Sequence, residues 1–131
     1  MTIKYKEIGR KDPRDTGLAP KYYGLAIHPN KIGFKQLSVE IADSSTTVSE
    51  GDAYAVLITA SKLIRNYLEK SYIVELEDIG SFSINISTMG AEEEGKFHQG
   101  LIKGAKVIFK SGATFAKMLK NLKFEKVKSS T

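Results

Sequence analysis

The basic side chains of the last third of this sequence are its clearest candidates for chemistry. Lys103, Lys106 and Lys110 fall in and around a β-prone segment, residues 105–109. Lys117, Lys120 and Lys123 then recur every three residues, opposite the apolar positions of a helical pattern. Such side chains hold phosphate, because a phosphate contact needs positive charge rather than the geometry that reads a base. A solvated face is the competing reading, since lysine is common on any surface. Arg10, Lys11 and Arg14 form a second basic set on a loop with Pro13, where Asp12 and Asp15 offer salt-bridge partners instead. His28 and His98 stand seventy residues apart, with no cysteine and no placed carboxylate beside them. Neither a metal site nor a catalytic triad has its parts. Glu92, Glu93 and Glu94 are consecutive, and consecutive positions converge poorly on one ion, which favours a solvated turn. No Gly-x-Gly-x-x-Gly or Walker loop is present. The chain is therefore not expected to be an enzyme, and no cofactor, metal or small-molecule substrate is expected.

The distribution of charge sharpens the reading of the lysines. Residues 1–36 hold eight basic and three acidic side chains, residues 37–100 four and eleven, and residues 101–131 eight and one. The ends are thus basic and the middle acidic, within a net charge of +5. Lysine concentrated in a short segment suits a phosphate-contacting surface, although a solvated tail has the same composition. With 41% hydrophobic and 27% charged residues in 131, the composition fits one globular domain, or one with an extension. No apolar run approaches the roughly 20 residues that cross a bilayer. The start lacks the apolar core of a signal peptide, and with no cysteine a cytoplasmic location is the default.

Periodicity supplies the elements that would position these residues. Residues 2–9 alternate apolar and polar side chains, residues 10–17 read as a loop, and residues 21–28 are β-prone, so a hairpin is expected. Phe34, Leu37, Ile41 and Ala42 follow helical spacing. After Ser44-Ser-Thr-Thr47, Ser49 and Asp52 form a capping box for a second helix. Its apolar set (Ala53, Val56, Leu57, Ala60, Leu63, Ile64, Tyr67 and Leu68) is broad enough for burial against more than one neighbour. Period two returns at residues 72–77 and 82–87, with a turn at Asp78-Ile79-Gly80. Residues 88–100 carry no core pattern. A third strand is expected at residues 105–109, and Ser111-Gly112 opens a last helix with Phe115, Met118, Leu119 and Leu122 on its apolar face. The residues from Lys126 onward read as frayed.

This order of elements, from about Phe34 to Leu122, resembles the HU/IHF family of bacterial histone-like proteins. Ile79-Gly80-Ser81-Phe82 is similar to the family's Gly-Phe-Gly-x-Phe turn, and Phe109-Lys110-Ser111-Gly112 to its Phe-Lys-Pro-Gly. The Thr-Thr-Val-Ser-Glu-Gly-Asp that starts the second helix is similar to its Leu-Ser-x-x-Asp. The added β segment, with Arg10-Lys-Asp-Pro-Arg14 and Tyr22-Tyr23, looks like the longer HU-HIG subfamily, which is closer than HU itself. The resemblance implies an α+β, IHF-like fold: a helical hairpin, a three-stranded antiparallel sheet with an arm, a short C-terminal helix and an added N-terminal β segment. The expected division is 1–32 as extension, 33–124 as HU-like dimerisation and DNA-binding domain, and 125–131 as flexible tail.

It also implies sequence-tolerant binding of double-stranded DNA by a nucleoid-associated dimer in the cytoplasm, with no membrane partner. The alternative is an HU-like scaffold serving as a protein-interaction or structural module. The departures concern the arm, residues 88–103. Where the family carries a proline wedge that kinks DNA, this chain offers Met89 as a possible wedge, followed by the three glutamates. Carboxylates near phosphates are repelled, by about 1 kcal/mol per pair at 4 Å in water. An acidic tip argues against inherited wedge-type bending.

Overall fold

The computed structural model describes residues 2–15, 17–44 and 47–128. Along the chain run β1 (Thr2–Arg10), β2 (Lys21–Ala26), α1 (Phe34–Ser44), α2 (Glu50–Glu69) and β3 (Val74–Glu75). There follow β4 (Gly80–Thr88), a 3₁₀ turn (Gln99–Leu101), β5 (Ile102–Ser111), α3 (Ala113–Lys120) and β6 (Lys123–Lys126). The protein is thus a mixed α+β fold. It divides into two compact units, one of Met1–Ile32 with Met118–Thr131, the other of Gly33–Lys117.

The first unit holds a three-stranded sheet in the order β2-β1-β6. β1 and β2 form the expected antiparallel hairpin, in register from Tyr5 opposite Ala26 to Arg10 opposite Lys21. Their connection is tied by its own aspartates. Asp12 accepts the backbone N–H of Arg14 at 2.8 Å, and Asp15 that of Gly17 at 3.1 Å. These are Asx turns, in which a short carboxylate stands in for a backbone acceptor. β6 lies parallel to β1, Thr2 opposite Lys123 and Tyr5 opposite Lys126. Glu125 and Lys126, expected in a flexible tail, are therefore strand residues. The Val127 N–H prolongs the ladder to the carbonyl of Tyr5 at 2.8 Å. Residues 129–131, the rest of that expected tail, lie outside the described residues.

In the second unit α1 and α2 pack as the expected helical hairpin. Ser49 caps α2, its side chain accepting the Asp52 N–H at 3.1 Å, with Glu50 and Asp52 favourably placed in the first turn. The far end closes in a Schellman motif. The Tyr72 N–H donates to the Tyr67 carbonyl, the Ser71 N–H to that of Leu68, and Ser71 takes φ 68°. This cap uses the residues expected to start a strand. A turn with Glu77 at φ 46° uses those expected to end it, so β3 shrinks to Val74–Glu75.

β3, β4 and β5 form an antiparallel sheet, in which β4 and β5 pair over their whole length as a long ribbon. β5 is twice as long as the expected 105–109 because it includes the returning side of the arm. Gly80 at φ 149° is buried where the ribbon starts. A Cβ there would collide with the Lys110 carbonyl and come within 2.7 Å of the Phe109 ring.

Packing within the chain covers only part of the apolar surface that the sequence offers. Ser38 and Ala53, on α1 and α2, are the buried side chains among the described residues other than glycine. On α2, Ala53, Leu57, Ile64 and Leu68 are buried or half-buried, while Val56, Ala60, Leu63 and Tyr67 stand exposed. The broad stripe is thus two stripes, and the single chain covers one. Val56 is 65% and Leu63 52% exposed.

Candidate nucleic-acid interface

The β4–β5 ribbon sorts its side chains by the period of two that any strand imposes. Phe82 faces Phe109, with ring centroids 5.1 Å apart, and Ile84 pairs with Val107 and Ile86 with Ala105. These six form one face. Ile64 and Leu68 of α2 border the same cleft as Phe82, Ile84 and Val107, so α2 lies over this apolar side. Ser81, Ser83, Asn85 and Ser87 form the opposite face, with Lys110 across from Ser81 and Lys106 across from Asn85. Neither β4 nor β5 carries an acidic residue. The side of the ribbon turned away from α2 therefore carries Lys106 and Lys110 with serines, Asn85 and a half-buried Ile108. Neither ribbon strand adds a carboxylate to it, although Glu75 of β3 borders it opposite Ser81.

The remaining sequence candidates are placed differently. Lys103 falls at the register shift where Ser87 pairs with Gly104 and Thr88 with Ile102, so it is the extra residue of a bulge, out of line with Lys106 and Lys110. Lys117 lies in α3 and belongs to the second unit, whereas Lys120, which ends α3, and Lys123, which opens β6, belong to the first. Arg10 ends β1 directly opposite Lys21, while Lys11 and Arg14 sit in the connection. Asp12 and Asp15 serve the backbone there, and among the described residues neither pairs with these cations.

The arm leaves the ribbon as a loop between Thr88 and Ile102. Met89 marks its base, its N–H donating to the Leu101 carbonyl at 2.8 Å, and its side chain is 48% exposed. The loop then turns at Glu93, whose carbonyl accepts the Lys96 N–H, with Gly95 at φ 78°. His98 accepts the Gly100 N–H through Nδ1 at 3.1 Å and so caps the 3₁₀ turn, a structural role for one of the two histidines. Glu92, Glu93 and Glu94 are exposed. Sequence reasoning passed over Phe97, an apolar ring 49% exposed between the Glu93–Lys96 turn and His98. Its signal was an aromatic residue in a stretch with no core pattern.

Comparison with known proteins decides the family. The model of the HU-HIG family, an HU domain fused to wHTH, Ig, or a glycine-rich motif, matches residues 1–126. The chain belongs to the HU-HIG family. An HU-HIG member therefore owns both units, the added β segment included, since the match begins at residue 1. No curated protein matches the chain. Among solved structures it is similar to a protein from Bacteroides vulgatus ATCC 8482, solved at 2.25 Å and proposed to be a bacterial DNA-binding protein. The TM-score is 0.65 at 9% identity, which shows a shared fold. The likeness covers 96% of this chain and 48% of the other, so this chain spans about half the length of that protein. Among the described residues no group of three or more His, Cys, Asp and Glu could hold a metal ion, and no helix is long and apolar enough to cross a membrane.

Proposed function

We propose that this HU-HIG chain binds double-stranded DNA through its sugar–phosphate backbone, with little sequence preference, as a nucleoid-associated dimer of IHF-like design. The face of the β4–β5 ribbon away from α2, where Lys106 and Lys110 stand and to which neither ribbon strand adds a carboxylate, carries this reading. Charge without base-reading geometry yields affinity that tolerates sequence and falls with salt. Lys103 and Lys117 of the same unit would add to the contact, and Lys120, Lys123, Arg10, Lys11 and Arg14 are proposed as phosphate contacts of the first unit. Dimerisation is supported by the uncovered stripe of Val56, Ala60, Leu63 and Tyr67 on α2. An isologous interface would bury these side chains against their own copies. The proposed role is cytoplasmic, in organising DNA, and calls for no cofactor or catalysis.

A gel-shift titration of the full chain with straight duplex DNA at low salt tests the reading. Retention is expected, with affinity falling roughly 10³-fold between 50 and 200 mM salt if about six phosphates are contacted. K106A/K110A should lower the salt slope by about 2 for each chain that contacts the duplex. No retention of duplex DNA at low salt would overturn the DNA reading and leave an HU-like protein-interaction scaffold.

A further inference from the structure

The N-terminal sheet also has two unlike faces. On one, Ile3, Tyr5, Ala26 and Phe124 gather with Tyr22, whose ring lies 3.1 Å from where a Cβ on Gly9 would be. The ion pair of this sheet, Lys126 with Glu7 at 3.9 Å, belongs to the same face. The pairing register puts Lys4, Lys6 and Arg10 of β1, Lys21 of β2 and Lys123 of β6 on the other face, with Leu25 opposite Lys6 and the Ile8–Tyr23 pair between Lys6 and Arg10. Glu125 is its one strand carboxylate, and among the described residues none of the five cations pairs with an acid. Arg10 and Lys21 are direct cross-strand neighbours, an arrangement of like charges that destabilises a sheet unless an anion relieves it.

From this we infer that the Lys4–Lys6–Arg10–Lys21–Lys123 face of the N-terminal sheet is a second DNA-backbone surface, separate from the β4–β5 ribbon. The occupant follows from charge complementarity. Lys4 and Lys6, at i and i+2 of β1, stand about 7 Å apart, and Arg10 and Lys21 face each other across strands about 4.8 Å apart, so the face holds two cationic clusters with Ile8 and Tyr23 between them. Two such clusters on one open face can each meet phosphates of a backbone without needing a shaped pocket. Arg10, Lys11 and Lys21 also border a groove on this face, lined by Ile8, Tyr23 and Leu25 and by Asp12 and Leu18 of the connection. The sheet face thus gives the basic loop a continuation that sequence alone did not reveal. The inference rests on the reading of the chain as a DNA binder.

The test uses the full chain and a straight duplex of about 30 base pairs across a salt series. K4A/K6A/K21A should weaken binding at least roughly tenfold and lower the salt slope by about 2 to 3, since each phosphate contact contributes about 0.9. K4R/K6R/K21R should bind like the parent, and K35A/K62A/K70A, which removes the same charge from the helical hairpin, should leave the slope unchanged. Thermal melting monitored by circular dichroism verifies folding. If the parent binds and K4A/K6A/K21A keeps its slope, or if the helical control loses as much, the inference is overturned while the DNA reading stands. Failure of the arginine variant to restore binding also overturns it. If K106A/K110A has no effect while K4A/K6A/K21A loses affinity, the inference stands and the ribbon assignment fails. A parent chain that retains no duplex overturns both.

Discussion

The backbone N–H of Gly112 donates to the carbonyl of Ile79 at 2.9 Å, joining the turn before β4 to the junction between β5 and α3. Two of the three segments that carry the HU-like motifs thus meet in one contact. A Cβ on Gly112 would collide with the carbonyl of Asp78 and come within 3.1 Å of the Gly80 nitrogen. G112A and G80A should each lower stability by about 2–4 kcal/mol, because backbone must move to admit one carbon. Urea denaturation reads this directly, and a loss below about 0.5 kcal/mol would mean the contact is not maintained.

Ser71 offers the opposite test. It holds φ 68° in the Schellman motif that ends α2, a position where glycine carries no Cβ penalty. S71G should therefore raise stability by up to about 1 kcal/mol, the relief of strain being offset in part by the greater freedom of unfolded glycine. A lower melting temperature for S71G would contradict the cap assignment.

The second α2 stripe should behave as an interface. Light scattering at micromolar concentration is expected to give twice the chain mass of 14.5 kDa. Burying an exposed valine or leucine is worth about 1.5–3 kcal/mol, and in an isologous contact each counts twice. V56E/L63E should accordingly raise the dissociation constant at least about a hundredfold and make the mass that of one chain. A parent chain that runs as a monomer at micromolar concentration would sink the dimer.

The acidic arm should weaken DNA binding rather than shape it. Neutralising Glu92, Glu93 and Glu94 as E92Q/E93Q/E94Q should tighten binding several-fold at low salt, an effect that fades as salt screens it. M89A should leave the ratio of affinities for nicked and straight duplex unchanged, since Met89 sits at the base of the loop. A drop in that ratio for M89A would instead make Met89 a wedge.

Local order was legible in the sequence where it is locally caused. The Ser49 cap, the two helices and the β1–β2 hairpin follow from spacing and from side chains a few residues apart. β3 was overestimated because the pattern at residues 72–77 does not show that the Schellman cap and the Glu77 turn use its ends. Phe124 and Val127 are separated by two charged residues, which is no period of two, and so short a run reads as tail without its partner. That partner, β1, lies some 120 residues away and pairs in parallel.

The lysines divide in the same way. Their number and clustering are written in the sequence, and so is the phosphate chemistry available to them. Which of them share a surface depends on register. Strand alternation and cross-strand pairing set Lys106 and Lys110 on one face of the ribbon, a bulge moves Lys103 out of line, and β6 puts Lys123, opposite Thr2, on the face that Lys4 shares. One residue of slip would exchange those faces, and only the tertiary structure fixes that register, because it is set by which apolar face finds cover.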